Sequence, residues 1–306
     1  MGQLLTQKHI HLAFFFLFVC RIPALAASDN PPKATFRSQV SEVRLVFSAT
    51  DQNNHAIATL KPTDIAVVDT DFIVRNFRSF TLADFSKLEI VVLIDASGST
   101  IPRHREEIAQ LIDFISRTAG IPEQSFSIAS FSGLRPTLIC QGDCRSSRVI
   151  EMLAATKPGG LTPLYDSLEF AAQLFSSSTD PQARRVLILF SDGEDTISKT
   201  TADAALGKLI AKDVQAYTVD LGGSPWQGRA FLSDLAASTG GRRSGIKDGA
   251  DAIANAILDD FHASYLVTYQ IPSRSAGFHS IHIFPTHNLH LNFRCRRGYQ
   301  YPASSN

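Results

Sequence analysis

Three short stretches of this chain set oxygen-bearing side chains where apolar or glycine-rich segments end. "IVVLIDASGST" runs the apolar residues Ile90 to Ile94 straight into Asp95, Ser97 and Ser99. "VLILFSDGED" brings Ser191 and Asp192 to the end of a second apolar run. Between them, "GGLTPLYDS" places Thr162 after Gly159 and Gly160 and just before Pro163, a residue suited to the first turn of a helix. Two carboxylates and three hydroxyls make an oxygen-only donor set of mixed charge, which suits a hard divalent cation with about six positions at about 2.1 Å. The candidate metal ligands are therefore Asp95, Ser97, Ser99, Thr162 and Asp192, and the candidate cofactor is Mg²⁺, with Mn²⁺ or Ca²⁺ in its place. Hydroxyls are weak ligands. A cation held largely by them stays electron-poor and draws an anionic oxygen from outside, such as an Asp or Glu carboxylate of a partner protein.

Such distant residues can meet only if the intervening chain is wound so that its strands end at one edge. From Leu88 onward, apolar runs such as "IVVLI" and "VLILF" alternate with helical patterns such as "PRHREEIAQLIDFISRTAG" and "PLYDSLEFAAQLFSSS" over about 170 residues. That alternation predicts a doubly wound α/β domain with a mostly parallel sheet, whose strands lack polar positions because helices cover both faces. In such a sheet, ligands bind beyond the carboxyl ends of the strands, where Asp95 and Asp192 are expected. Asp166 and Asp195 could orient the ligands by hydrogen bonds or simply cap a helix.

The flanks read differently. "EVRLVFSAT", "DIAVV" and "FIVRNF" before the α/β region, and "SYLVTYQIP", "HSIHIFP" and "HLNFRCRRGYQYP" after it, have the alternation and turns of short antiparallel strands. Neither flank is long enough to stand alone. The expected organisation is a β-rich segment over 33–84, the α/β domain over 85–263 and a second β-rich segment over 264–302, with the two flanks paired into one small sandwich around the insert.

With these elements in place, "DASGS" matches the Asp-x-Ser-x-Ser signature of the metal-ion-dependent adhesion site of von Willebrand factor A domains. "GGLTPLYDSL" and "LFSDGEDT" match that family's threonine and aspartate elements, in order. The chain resembles this family, and its flanks resemble a bacterial subgroup of exported members. The resemblance implies a Rossmann-like fold, the two serines and the threonine in or near the inner coordination sphere, the aspartates bound directly or through water, and a non-enzymatic role in protein binding. A scaffold that works without metal exchange is the alternative.

Other chemistries fit less well. Lys plus Arg equals Asp plus Glu at 29 each, so no overall charge favours nucleic acid. Arg294, Arg296 and Arg297 read as a solvated strand end. An aspartate-nucleophile hydrolase would need a second acid where Ser97 stands and a lysine in its middle motif. His279 and His282 are spaced so that a strand sends them to opposite faces, which disfavours zinc.

Residues 1–26 carry Lys8, the apolar run Leu12–Val19 and small residues at Ala24 and Ala26, the pattern of a cleaved secretory signal. Phe18 and Val19 are too bulky for a lipidated Cys20. No later stretch approaches the ~20 apolar residues of a spanning helix, so the mature chain is expected to be secreted or periplasmic, without a transmembrane segment. Export permits a disulfide, and the Gly-Asp turn in "CQGDC" favours Cys140 with Cys144, leaving Cys295 on a strand.

Overall fold

Strands with no polar face must be covered on both sides. The computed structural model, which describes residues 42–83, 88–117, 126–175, 183–223, 226–287 and 290–302, shows how this chain does it. The expected signal at 1–26 lies outside the described residues. In chain order the elements are β1 (Glu42–Thr50), β2 (Ile65–Asp69), β3 (Phe72–Val74), β4 (Ser79–Leu82), β5 (Leu88–Asp95), α1 (His104–Arg117), β6 (Phe126–Ser132), β7 (Arg135–Gln141), α2 (Ser147–Ala154) and α3 (Leu164–Leu174). There follow β8 (Arg184–Ser191), α4 (Ala202–Ala211), β9 (Val214–Asp220), α5 (Trp226–Thr239), β10 (Arg243–Gly245), α6 (Ala250–His262), β11 (Ser264–Gln270), β12 (Gly277–Pro285), β13 (Asn292–Cys295) and β14 (Gly298–Tyr301).

The central sheet has the order β10-β9-β8-β5-β6-β7, parallel except for β7, which returns beside β6 as an edge hairpin. Successive side chains of β5 serve opposite cores. Ile90, Val92 and Ile94 pack with α1, α2 and α6, whereas Val91 and Leu93 pack with α3, α4 and α5. This is the doubly wound architecture, and it explains why the strand carries no polar residue between Ile90 and Ile94. At its end β7 is closed by a disulfide from Cys140 to Cys144 across the Gly142–Asp143 turn.

The flanks interleave. β1 pairs with β11 and β13, and β2 pairs with β12, giving two antiparallel sheets in the orders β13-β1-β11-β4 and β14-β12-β2-β3. Alternate residues of both sheets, Leu45, Phe47, Ile65, Val67, Tyr265 and Ile281 among them, close over a common core. Phe47 stacks on Tyr265 with ring centroids 5.1 Å apart. The result is a β-sandwich assembled from both ends of the described chain.

Two of the arginines near its end differ from the sequence reading. Arg294 makes two hydrogen bonds to Asp260 of α6, at 2.8 and 2.6 Å. Arg296 donates to Asp213 at 2.7 Å and to the Arg44 carbonyl at 2.7 Å. Arg294 and Arg296 are therefore not part of a solvated strand end, whereas Arg297 is exposed as expected. Carboxylates more than thirty residues distant in sequence draw the first two into the seam between sandwich and α/β layers. Cutting Arg296 back to Ala leaves Asp213 and a backbone carbonyl without these partners, so the unfolding free energy should fall by about 2 kcal/mol in urea titrations.

Candidate metal centre

The chain leaves β5 toward β6 on one side and comes back as β8 on the other, so the crevice between loops opens at the carboxyl ends of β5 and β8. Asp95 ends β5 and is fully buried, and Ser191 ends β8, also buried, with Asp192 following at 3% exposure. The Ser191 hydroxyl donates to Asp95 Oδ2 at 2.6 Å, joining the two strand ends directly. Ser191 Oγ in turn accepts from the Gly193 N–H at 2.9 Å. The Ser97 N–H donates to Asp95 Oδ1 at 3.0 Å, and the Thr100 hydroxyl donates to the Asp95 carbonyl at 2.9 Å, which folds "ASGST" into a tight turn over the strand end.

The third loop is stitched to the first. The Gly159 N–H donates to the Ala96 carbonyl at 2.8 Å, and the Gly98 N–H donates to the Gly160 carbonyl at 3.0 Å. These strands of loop approach so closely that a Cβ on Gly98 would lie 3.3 Å from the Gly160 oxygen, and Gly160 itself sits at φ +84°. Thr162, 3% exposed, is tied to the loop after Asp192: its N–H donates to Thr196 Oγ1 at 2.8 Å, and the Thr196 N–H donates to its carbonyl at 2.9 Å. Asp95, Ser97, Thr162 and Asp192 are buried at this edge, while Ser99 is exposed, its hydroxyl 3.2 Å from that of Ser97.

Electrostatically the edge is anionic. Burial pushes the Asp95 carboxyl up to about 6, against the hydrogen bonds from Ser191 and Ser97, and the nearby charge of Asp192 adds to the rise. Behind it on α1, Glu107 is fully buried, and burial with the charge of Asp95 raises it well above the ordinary carboxyl range. The neighbouring His104 is lowered, by burial first, so burial favours the neutral form of both groups. Glu107 Oε2 and His104 Nδ1 lie 3.2 Å apart, in hydrogen-bond contact. His104 Nε2–H donates to the Thr156 carbonyl at 3.1 Å, at the root of the loop that carries Thr162.

Sequence reasoning missed His104, Glu107, Ser191 and Thr196 as supports of this edge. Only Ser191 had a local signal, its place between strand and Asp192. Asp166 and Asp195 act on backbone: Asp166 accepts from the N–H groups of Lys199 and Thr200, and Asp195 from those of Tyr165 and Ser198, fastening the 192–200 loop to α3. Of the histidines considered for zinc, His279 is buried and His282 exposed, on opposite faces of β12. Among the described residues no group of three or more His, Cys, Asp or Glu side chains is placed to hold a metal ion. A cation at the Asp95 edge would have to accept hydroxyl ligands. The donor set there, two carboxylates with hydroxyls from two stitched loops, fits a hard divalent ion.

Residues 90–194, which span all three loops, match the model of the von Willebrand factor type A domain. Among solved structures the chain is similar to manganese-loaded TRAP protein of Plasmodium vivax (15% identity over 78% of this chain and 100% of that one, TM-score 0.46). It is also similar to proximal thread matrix protein 1 of the mussel byssus with a zinc-occupied MIDAS motif (16%, 63% and 50%, TM-score 0.46). A third is the vWF domain of the type V pili tip protein Mfa5 of Porphyromonas gingivalis (14%, 57% and 96%, TM-score 0.47). No curated protein matches the sequence.

The fit of α5 against the edge is testable. A Cβ on Gly228 would lie 2.5 Å from the Asp192 carbonyl, well inside contact distance. Gly228→Ala should push the Asp192 loop and α5 apart and destabilise the protein by about 1–3 kcal/mol, seen as a lower midpoint in thermal denaturation.

Proposed function

We propose that this chain is an exported, metal-dependent protein-binding module. In this reading Asp95, Ser97, Ser99, Thr162 and Asp192 hold a Mg²⁺ or Mn²⁺ ion, directly or through water, and an Asp or Glu of a partner protein completes the shell. The α/β region over 85–263 acts as an insert carried by the sandwich of 33–84 and 264–302, in a secreted or periplasmic setting. Among the described residues no helix is long and apolar enough to cross a membrane.

The observation that carries the reading is the company the edge keeps. Ile101 follows the Ser99 turn, Leu161 precedes Thr162, Leu134 sits on the β6–β7 turn whose Gly133 N–H donates to the Leu161 carbonyl, and Trp226 opens α5 beside the Asp192 loop. Trp226 and Leu134 are 75% and 74% exposed, and Leu161 and Ile101 about half. Large apolar side chains around a buried anionic centre suit a protein surface that offers a carboxylate flanked by apolar residues. A small-molecule enzyme would instead enclose its substrate in a concave apolar pocket.

Calorimetric titration with Mn²⁺ should give one site in the wild type. Asp95→Ala should weaken it by more than about 100-fold, because Ser191→Ala, which removes only a supporting hydrogen bond, should by itself cost about 10- to 100-fold. Equal Mn²⁺ affinity in wild type and Asp95→Ala would overturn the metal reading. Trp226 is the chain's single tryptophan. Its fluorescence should shift to the blue when a protein partner covers the edge and return on adding a chelator, whereas a metal-independent scaffold would keep its partner in the chelator's presence.

A further inference from the structure

A cationic cavity lies at the other end of α5. There the sandwich meets the α/β layers along a cavity of about 550 Å³, walled by the second half of α5, the residues after it, β12 and β13. Two sheet edges border this space. β13 pairs only with β1, on its inner side. β12 pairs with β14 only over Gly277–Ser280, and Ile281 adds one bond to Arg297 on that side, so that His282–Pro285 carries a ladder to β2 and none on the opposite side among the described residues.

The direction of the open groups follows from the ladder. The Ile281 N–H donates away from β2, to the Arg297 carbonyl at 2.8 Å, while the Ser280 carbonyl faces the β2 side and accepts from Thr70 at 2.7 Å. Alternation then turns the N–H and carbonyl of Ile283 outward into the cavity, where no described backbone group pairs with them. An edge of this kind is a template for another strand. Pro285, which has no N–H, ends it after about four residues.

The charge of the cavity selects what could pair there. Arg242, Arg243, Arg294, Arg297 and His282 line it, with no Asp or Glu among the lining residues. Two of the carboxylates that hold these arginines are shared. Asp260, 1% exposed, receives both Arg242 and Arg294, and Asp220 receives both Arg243 and Arg229, while Arg297 lies 3.9 Å from the exposed Asp234. Four arginines thus line the space while the carboxylates that pair with them lie outside its wall, so the lining itself is cationic. Phe284, 53% exposed, and the half-buried Phe293 supply apolar contact beside them. The Cys295 thiol in the wall is pushed up to about 12 by burial and stays protonated.

We infer that the groove between β12 and β13 takes a short extended segment of a partner protein as an added strand, its side chains alternating between apolar residues and Asp or Glu. Backbone bonds to Ile283 give the pairing, and the arginines choose the acidic residues. The site is independent of the metal edge and works with a chelator present.

Fluorescence anisotropy on the full chain in a chelating buffer tests this, with a labelled heptapeptide of alternating Asp and Val as the probe. Saturable binding is expected. The same peptide methylated on alternate backbone nitrogens should bind at least 10-fold more weakly, and a version with Lys in place of Asp should not bind. Arg297→Glu, at a side chain 47% exposed, should weaken the Asp-Val peptide at least 10-fold with an unchanged melting midpoint. Equal binding of methylated and unmethylated peptides, or full displacement by equimolar inorganic tripolyphosphate, would reduce the groove to a general anion surface and overturn the strand. Absence of saturable binding by the Asp-Val peptide would overturn the site altogether.

Discussion

The site rests on one hydrogen bond in a dry place, that from the Ser191 hydroxyl to Asp95 at the ends of two adjacent parallel strands. It matters because a buried carboxylate without partners is costly, and this one has a second carboxylate, Asp192, close by. The strand order makes the meeting unavoidable. With β5 and β8 neighbours in a parallel sheet, the residues that follow them must share an edge, and the stitched glycine loop brings Thr162 to the same place. The donors around Asp95 are neutral, the Ser191 hydroxyl and the Ser97 N–H. Two carboxylates and several hydroxyls gathered at one edge suit a divalent cation.

Most of this arrangement is legible in the sequence because it is local. The unbroken runs at Ile90–Ile94 and Val186–Phe190 announce strands buried on both faces, and the position of a polar residue after such a run fixes its edge. What stays hidden depends on contacts across long sequence separations. Glu107 looks like one more acid of an amphipathic helix, yet it is fully buried behind Asp95, where burial raises it well above the ordinary carboxyl range. Arg294 and Arg296 look solvated until α6 and the end of α4 supply Asp260 and Asp213. The edge strand β7 is also poorly announced: it carries Pro136 and an exposed Leu138, as an outermost strand can, and so lacks the dense apolar pattern of its neighbours.

The sandwich and the α/β layers are joined by chemistry of a different kind. Their cores are separate and apolar, but their seam is built from arginine–carboxylate contacts that also shape the cationic groove beside α5. The same helix touches the anionic edge at Gly228 and the cationic groove at Ala236. One helix thus spans two surfaces of opposite charge.

The most direct measurement of the central claim is the anomalous signal of Mn²⁺ in a crystal of the protein. The account predicts a single strong peak at the carboxyl end of β5 and β8, about 2.1 Å from hydroxyl oxygens of Ser97, Ser99 or Thr162 and within one water of Asp95 and Asp192. A peak elsewhere, or none at that edge in crystals saturated with Mn²⁺, would contradict it.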